Sequence, residues 1–233
     1  MADAFTFPTS VVIGLWLNAA QAGAVTPTDC ANAIETVTDQ VDINFVDHAA
    51  EFGSTSWLGV VNQAVLASSP VVAGLPVNGD PAGLPADVLA RITWESGVVA
   101  IDPNLLLCHS SDGVWALFKS KHNVMPYDLT QTRRSLEEHL ASAAKQLAAS
   151  DLVGDEAQIV RNLNEFKSLH LPPHLSKRST DALELAARIL IISRGAIVNT
   201  NALHSPSLDR VRVQTFEQLI LQSRTVLQSV VIG

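Results

Sequence analysis

With 233 residues, 47% of them hydrophobic, the chain is long enough to bury a large core as one big domain or two modest ones. It has 23 acids against 15 bases, a net charge of −8, which disfavours nucleic-acid binding. No uncharged apolar run reaches the ~20 residues of a membrane span; the nearest stretch, Leu183 to Val198, is broken by Glu184, Arg188 and Arg194 and reads as a buried helix.

In chain order, the first feature is Val11 to Leu17 followed by Ala20-Gln21-Ala22, which imitates the apolar core and small-residue cleavage site of a signal peptide. Its positive flank is missing, since only Asp3 precedes it, so the expectation is a cytoplasmic protein whose first helix is amphipathic. Thr9-Ser10 is expected to cap that helix, which runs through Trp16 and stops near Gly23. A second helix starts at Thr26 as N-cap, with Pro27 at its first position and Asp29 in its first turn, where a negative charge suits the helix dipole. Its apolar stripe is Cys30, Ala33, Ile34 and Val37. Cys30 and Cys108 are the only cysteines and form no disulfide framework; both are expected as small core residues in a reducing compartment.

Val41 to Val46 alternates with period two and is expected as an edge strand with one wet face. A helix follows from about Ser54 to Ser68, ended by Pro70. Val71 to Val77 reads as a buried strand running into a rigid loop, Asn78 to Pro85, before a helix through Val88, Leu89 and Ile92 to Trp94. Gly97 to Ile101 reads as a buried strand. Leu105–His109 and Val114–Phe118 read as a hairpin around Ser110 to Gly113, apolar on both faces and so covered by helices. From Pro126 onward only helical patterns remain: Leu129 to about Ser150, Asp155 to Leu169, Ser176 to Ala202, and a last helix after Ser205-Pro206. The expected fold class is therefore α+β. An α/β-like N-terminal layer with a small mixed sheet and hairpin, residues 1–122, precedes an antiparallel helical bundle, residues 126–233.

Charge is unevenly placed. Nine of the acids and none of the bases lie in residues 1–90, so this part carries about −9 and the remainder about +1. Such a surface either meets a basic protein partner or serves as a solvated acidic face. Paired bases at Arg133-Arg134, Lys177-Arg178 and Arg210/Arg212 fall near predicted helix starts, where they oppose the dipole and call for an acidic partner.

Side chains able to carry chemistry are few. Asp80, in Asn78-Gly79-Asp80-Pro81-Ala82-Gly83, suits a general base, a metal ligand or a hydrogen-bond acceptor, and equally an Asx-type turn. The glycines would let a ligand approach the main chain. Asp47-His48-x-x-Glu51 would gather three metal ligands if helical but lies at a strand-to-helix junction, so no metal site is expected. His170 and His174 flank Pro172-Pro173 and belong to a connector. Cys108 and His109 point to opposite faces of a strand and cannot act as a nucleophile–base pair. No common nucleotide, hydrolase or zinc motif is present.

The segment Leu75-Pro76-x-x-Gly79-Asp80-Pro81-x-Gly83-Leu84 resembles a family of uncharacterised bacterial proteins of about this size. The likeness spans Trp57 to Cys108, with a looser match over Trp16 to Asp29. That family has no assigned activity, so the resemblance implies no catalytic residue.

Two functions fit. One is a non-catalytic, oligomeric interaction protein, a dimer whose apolar C-terminal helices form the subunit interface and whose acidic N-terminal layer faces a basic protein. The other is a small-molecule binder or enzyme with its site at Asn78–Pro85, contacted by Asn78, Gly79, Asp80 and Gly83. Neither requires a cofactor.

Overall fold

The computed structural model describes residues 7–47, 50–77, 79–147, 156–198 and 206–232. The fold is α+β and divides into two compact units. Residues 7–126, joined by His170–Ser176 and the chain from Gln228, form a sheet unit; Tyr127–Leu169 and Lys177–Leu227 form a helical unit.

The sheet unit opens with helix α1 (Thr9–Gln21), which follows Pro8 without a side-chain cap. The expected cap at Thr9-Ser10 is not formed, because Thr9 is already helical and Ser10 is fully buried in the first turn. Gly23, at φ +70°, ends the helix as its left-handed stop, and Ala24 donates to the Ala19 carbonyl at 2.8 Å. Helix α2 (Pro27–Thr38) starts as expected: the Thr26 hydroxyl accepts from the Asp29 amide at 3.1 Å.

Six strands form one mixed sheet: β1 (Asp42–Asp47), β2 (Ala50–Ser56), β3 (Val72–Gly74), β4 (Val98–Asp102), β5 (Leu105–His109) and β6 (Trp115–Lys119), in the order β2-β1-β6-β5-β4-β3. Strands β3 to β6 form an antiparallel meander; β1 joins β6 in parallel and pairs with β2 antiparallel. Three expectations are corrected here. β1 is not an edge, because it is hydrogen-bonded on both sides; period-two alternation reports which face is wet, whereas an edge is a property of main-chain pairing that side chains do not encode. The edge is β2, whose Gly-Ser-Thr-Ser sequence has no apolar signal, so helix α3 (Trp57–Leu66) begins later than expected, capped by Ser56. The predicted helix to Trp94 is a single turn, α4 (Ala86–Leu89). Residues 91–93 instead pair with the end of β5: Ser111 donates to the Arg91 carbonyl at 2.8 Å and Thr93 to that of His109 at 2.9 Å.

Strand alternation gives the sheet two apolar faces. One carries Val72, Val98, Ala100, Leu106, Cys108, Ala116 and Phe118, which cluster with Leu84, Val88, Ile92 and Val124 from α4 and the flanking loops. This face is covered largely by loops, not by the helices expected over the hairpin. The opposite face, with Val99, Ile101, Leu107 and Leu117, packs against α1 and α3.

Polar side chains of α1 tie distant segments to this core. The Asn18 carboxamide accepts from the Val71 amide at 2.9 Å and donates to the carbonyls of Val71 at 2.8 Å and Val231 at 2.7 Å. Gln21 donates to the carbonyls of Ala64, Ala67 and Ser69, and the Trp16 indole to that of His170 at 2.9 Å while stacking on its ring. His170 is thus a connector residue as expected, held to α1 through its backbone.

The helical unit contains α5 (Leu129–Leu147), α6 (Glu156–Lys167), α7 (Lys177–Val198) and α8 (Pro206–Val230), whose last residues belong to the sheet unit. Arg133 and Arg134 bridge to Glu137 and Glu138 one turn on, and Arg178 hydrogen-bonds the Thr130 hydroxyl. These bases therefore have partners inside the helical unit. Among the described residues no helix is long and apolar enough to cross a membrane.

Replacing Asn18 with Leu keeps the branched outline with bulkier methyl groups and strands one main-chain amide and two carbonyls. We expect a loss of roughly 3 kcal/mol, read as a lower urea midpoint with unchanged m-value.

Candidate functional site

The expected site loop is a turn built on itself. Val77 and Asp80 exchange both main-chain hydrogen bonds at 2.9 Å across a two-residue turn, in which Gly79 adopts φ +86°. Asn78 lies outside the described residues. The Asp80 carboxylate accepts from the Ala82 amide at 3.0 Å and is exposed, an Asx turn that stiffens the corner. Gly83, at φ +77°, accepts from Asn123 at 2.8 Å and presses its Cα against the Asn123 carbonyl, leaving no room for a Cβ. The glycines at 79 and 83 thus allow a tight turn and a close approach of the chain to itself.

The other candidates are dispersed. Cys108 points into the loop-covered core and Cys30 into the helical face, where its thiol donates to the Trp16 carbonyl at 3.3 Å. Burial raises both thiols, Cys30 to about 12, so both are protonated and unreactive. His109 lies on the face opposite Cys108, its Nδ1 2.7 Å from the Thr93 hydroxyl and its ring edge-on to Trp115. Burial lowers its pKa, against a smaller raising effect of a backbone hydrogen bond with Gly113. His48 and the side chains of the Asp47–Glu51 segment lie outside the described residues. Among the described residues no three His, Cys, Asp or Glu side chains gather as a metal site.

The geometry concentrates instead in a cavity of about 390 Å³ between α3 and the sheet, lined by none of the loop residues. Its floor follows from register. Phe45 on β1 pairs with Leu117 on β6, and two residues along the same face Leu105 on β5 pairs with Lys119. Gly59 and Gln63 of α3 form the roof, and Thr55 closes the β2 side. Asp102 and Asn104 complete the rim. The Asp102 carboxylate accepts from the Asn104 amide at 2.7 Å, fixing the turn between β4 and β5. Asp102, Leu105 and Lys119 are neighbours on three adjacent strands, which sets the backbones of the carboxylate and the ammonium about 10 Å apart. Volume and lining, an apolar base with a few convergent polar groups, match small-molecule sites, which run from roughly 300 to 1,000 Å³.

Only part of this site has a sequence signal. Asp102-Pro103-Asn104 is legible as a turn, and Phe45 and Leu117 as inward strand positions. That β1 lies beside β6, and that α3 crosses above them, is a long-range pairing with no local signature. No protein-family model matches this chain, and no curated protein or solved structure matches it.

Gly79→Ala, with open space at its Cβ, is expected to cost about 1 kcal/mol from its positive φ alone. Gly83→Ala must also displace the Asn123 main chain, and calorimetry should show the larger loss there. His109 favours its neutral form when folded, so its contribution is complete above its ordinary pKa of 6.5 and is lost as pH falls through the lowered folded value. In His109→Gln, urea midpoints measured at about pH 8 and about pH 5 should differ less than in the parent chain.

Proposed function

We infer that this chain is a non-catalytic binding protein for a small amphiphilic carboxylic acid held in the cavity between α3 and the sheet. The observation that carries this reading is the lining: an apolar floor of Phe45, Leu105 and Leu117 ending at Lys119, the one base in it. The acid's apolar body would lie on the floor and its carboxylate would meet the Lys119 ammonium. The N-terminal turn of α3, which supplies Gly59, adds the positive end of its dipole. Asp102 is the weaker anchor for a cationic ligand, because one of its oxygens already accepts from Asn104. Gln63, Asn104 and Thr55 provide further hydrogen bonds that set orientation.

Two coarser features support a scaffold role for the rest. Ser135 hydrogen-bonds Gln222 at 2.9 Å and Gln146 bonds Thr215 at 3.0 Å, so α8 descends as α5 ascends, and we read α5 to α8 as an antiparallel bundle. The unpaired, buried thiols of Cys30 and Cys108 favour a reducing compartment such as the cytoplasm.

The test is calorimetric titration with a series of straight-chain and aryl carboxylic acids and the matching amines. Acids should bind and gain affinity with apolar length. Lys119→Met should weaken them about 10- to 100-fold, the worth of a hydrogen bond to a charged group, without altering the thermal melt. Binding of the amines in preference to the acids would overturn the reading.

A further inference from the structure

Helix α3 buries Trp57, Val60, Val61 and Ala64 and borders the cavity through Gly59 and Gln63, while its outer side is an apolar surface without charge. Leu58, Asn62, Val65 and Leu66 fall on one stripe by helical spacing, and the three apolar members are 40%, 37% and 81% exposed. Val41, 63% exposed, adjoins the start of the helix, because the preceding Gln40 accepts the Trp57 indole through its carbonyl at 2.6 Å. Upstream, the chain runs directly from edge strand β2 into α3, and Gly53, Ser54 and Ser56 of that edge are exposed and uncharged as well. All 28 residues from 52 to 79 lack Asp, Glu, Lys and Arg, although nine acids occur in residues 1–90.

Charge decides what fits this surface. A basic protein would seek carboxylates and an acidic one ammonium groups, and the stretch supplies neither. An anionic membrane surface would require bases, and none precedes Arg91. A second copy meets the condition in the simplest way. Two chains of net charge −8 repel each other, so their contact is cheapest through the face that carries the least charge, Glu51 being the one acid in β2. A twofold axis would set the stripe of one α3 against the identical stripe of the other, leucine to leucine, beside two β2 edges, which among the described residues have no strand neighbour on their outer side. We propose that this chain forms an isologous homodimer through the outer face of α3 and the adjoining β2 edge. The dimer expected from the apolar C-terminal helices is thereby placed on a different element, and it does not depend on what the cavity binds.

Sedimentation velocity on the full chain, from about 1 to about 100 μM, tests this. The expected species has twice the chain mass, and raising salt from about 0.05 to about 0.5 M should tighten it by screening the like charges. Leu58→Glu and Leu66→Glu, both at exposed positions, should weaken association about 100-fold or more by opposing like charges across the axis, with circular dichroism unchanged. Val160→Glu, 55% exposed on α6, should leave the dimer intact. A monomer at every concentration would overturn the proposal, as would a dimer that survives both leucine substitutions or is lost on Val160→Glu.

Discussion

The sheet unit depends on the way α1 satisfies main-chain groups of segments far away in sequence. Asn18 bonds the entrance of β3 at Val71 and the end of the chain at Val231, the latter 213 residues away. A carboxamide suits this task because it offers an acceptor and two donors in one plane, and all three of its bonds go to main chain. Segments 170–176 and 228–232 join this unit without contributing a strand, so side-chain bonds replace the ladder hydrogen bonds that hold ordinary sheet members. Trp16 on His170 and Gln21 on the Ala64 to Ser69 turn repeat the device on the same helix. Close packing completes it: a Cβ on Gly14 would stand 2.7 Å from the Val231 side chain.

The cavity follows from where α3 is made to start. Strand β2 runs directly into the helix through Ser56, whose hydroxyl accepts from the Gly59 amide, so α3 leaves the sheet at its edge and crosses above β1 and β6. Gly59 carries no side chain into the space beneath. The Gln40 side chain ties the start of β1 to Trp115 of β6, and its carbonyl takes the Trp57 indole, so the floor and the root of the roof are held by one residue. The space is therefore a product of main-chain routing and not of a flexible gap in packing.

Charge is unevenly distributed along this chain. Nine acids and no base lie in residues 1–90. None of these acids falls in residues 52–79, and this is the ground on which the proposed dimer contact is placed there. Lys119 is the one base among the residues that line the cavity. In the proposed binding mode an ammonium in direct contact with the ligand outweighs the distant charges of the chain, because salt screens charges separated by more than a Debye length, ~10 Å.

By itself the sequence determined the local elements that carry their own chemistry. Thr26-Pro27 starts α2, Ser110 to Gly113 turns the β5–β6 hairpin, Pro70 follows the end of α3, and Asp80 closes an Asx turn. Each is governed by capping, fixed dihedrals or positive φ, which act within a few residues. The α+β class was legible from the change of period near Pro126. Tertiary structure alone decided which strand is the edge, why the segment after Leu89 leaves the helix to pair with β5, and that Phe45, Leu105, Leu117 and Lys119 share one cavity. Those outcomes rest on main-chain hydrogen bonds between segments tens of residues apart, and every backbone carries the same donors and acceptors whatever its side chains. In the Asn78–Pro85 segment, Asp80 and Gly83 hydrogen-bond the chain's own backbone, because the residue types that admit a ligand also admit the main chain itself.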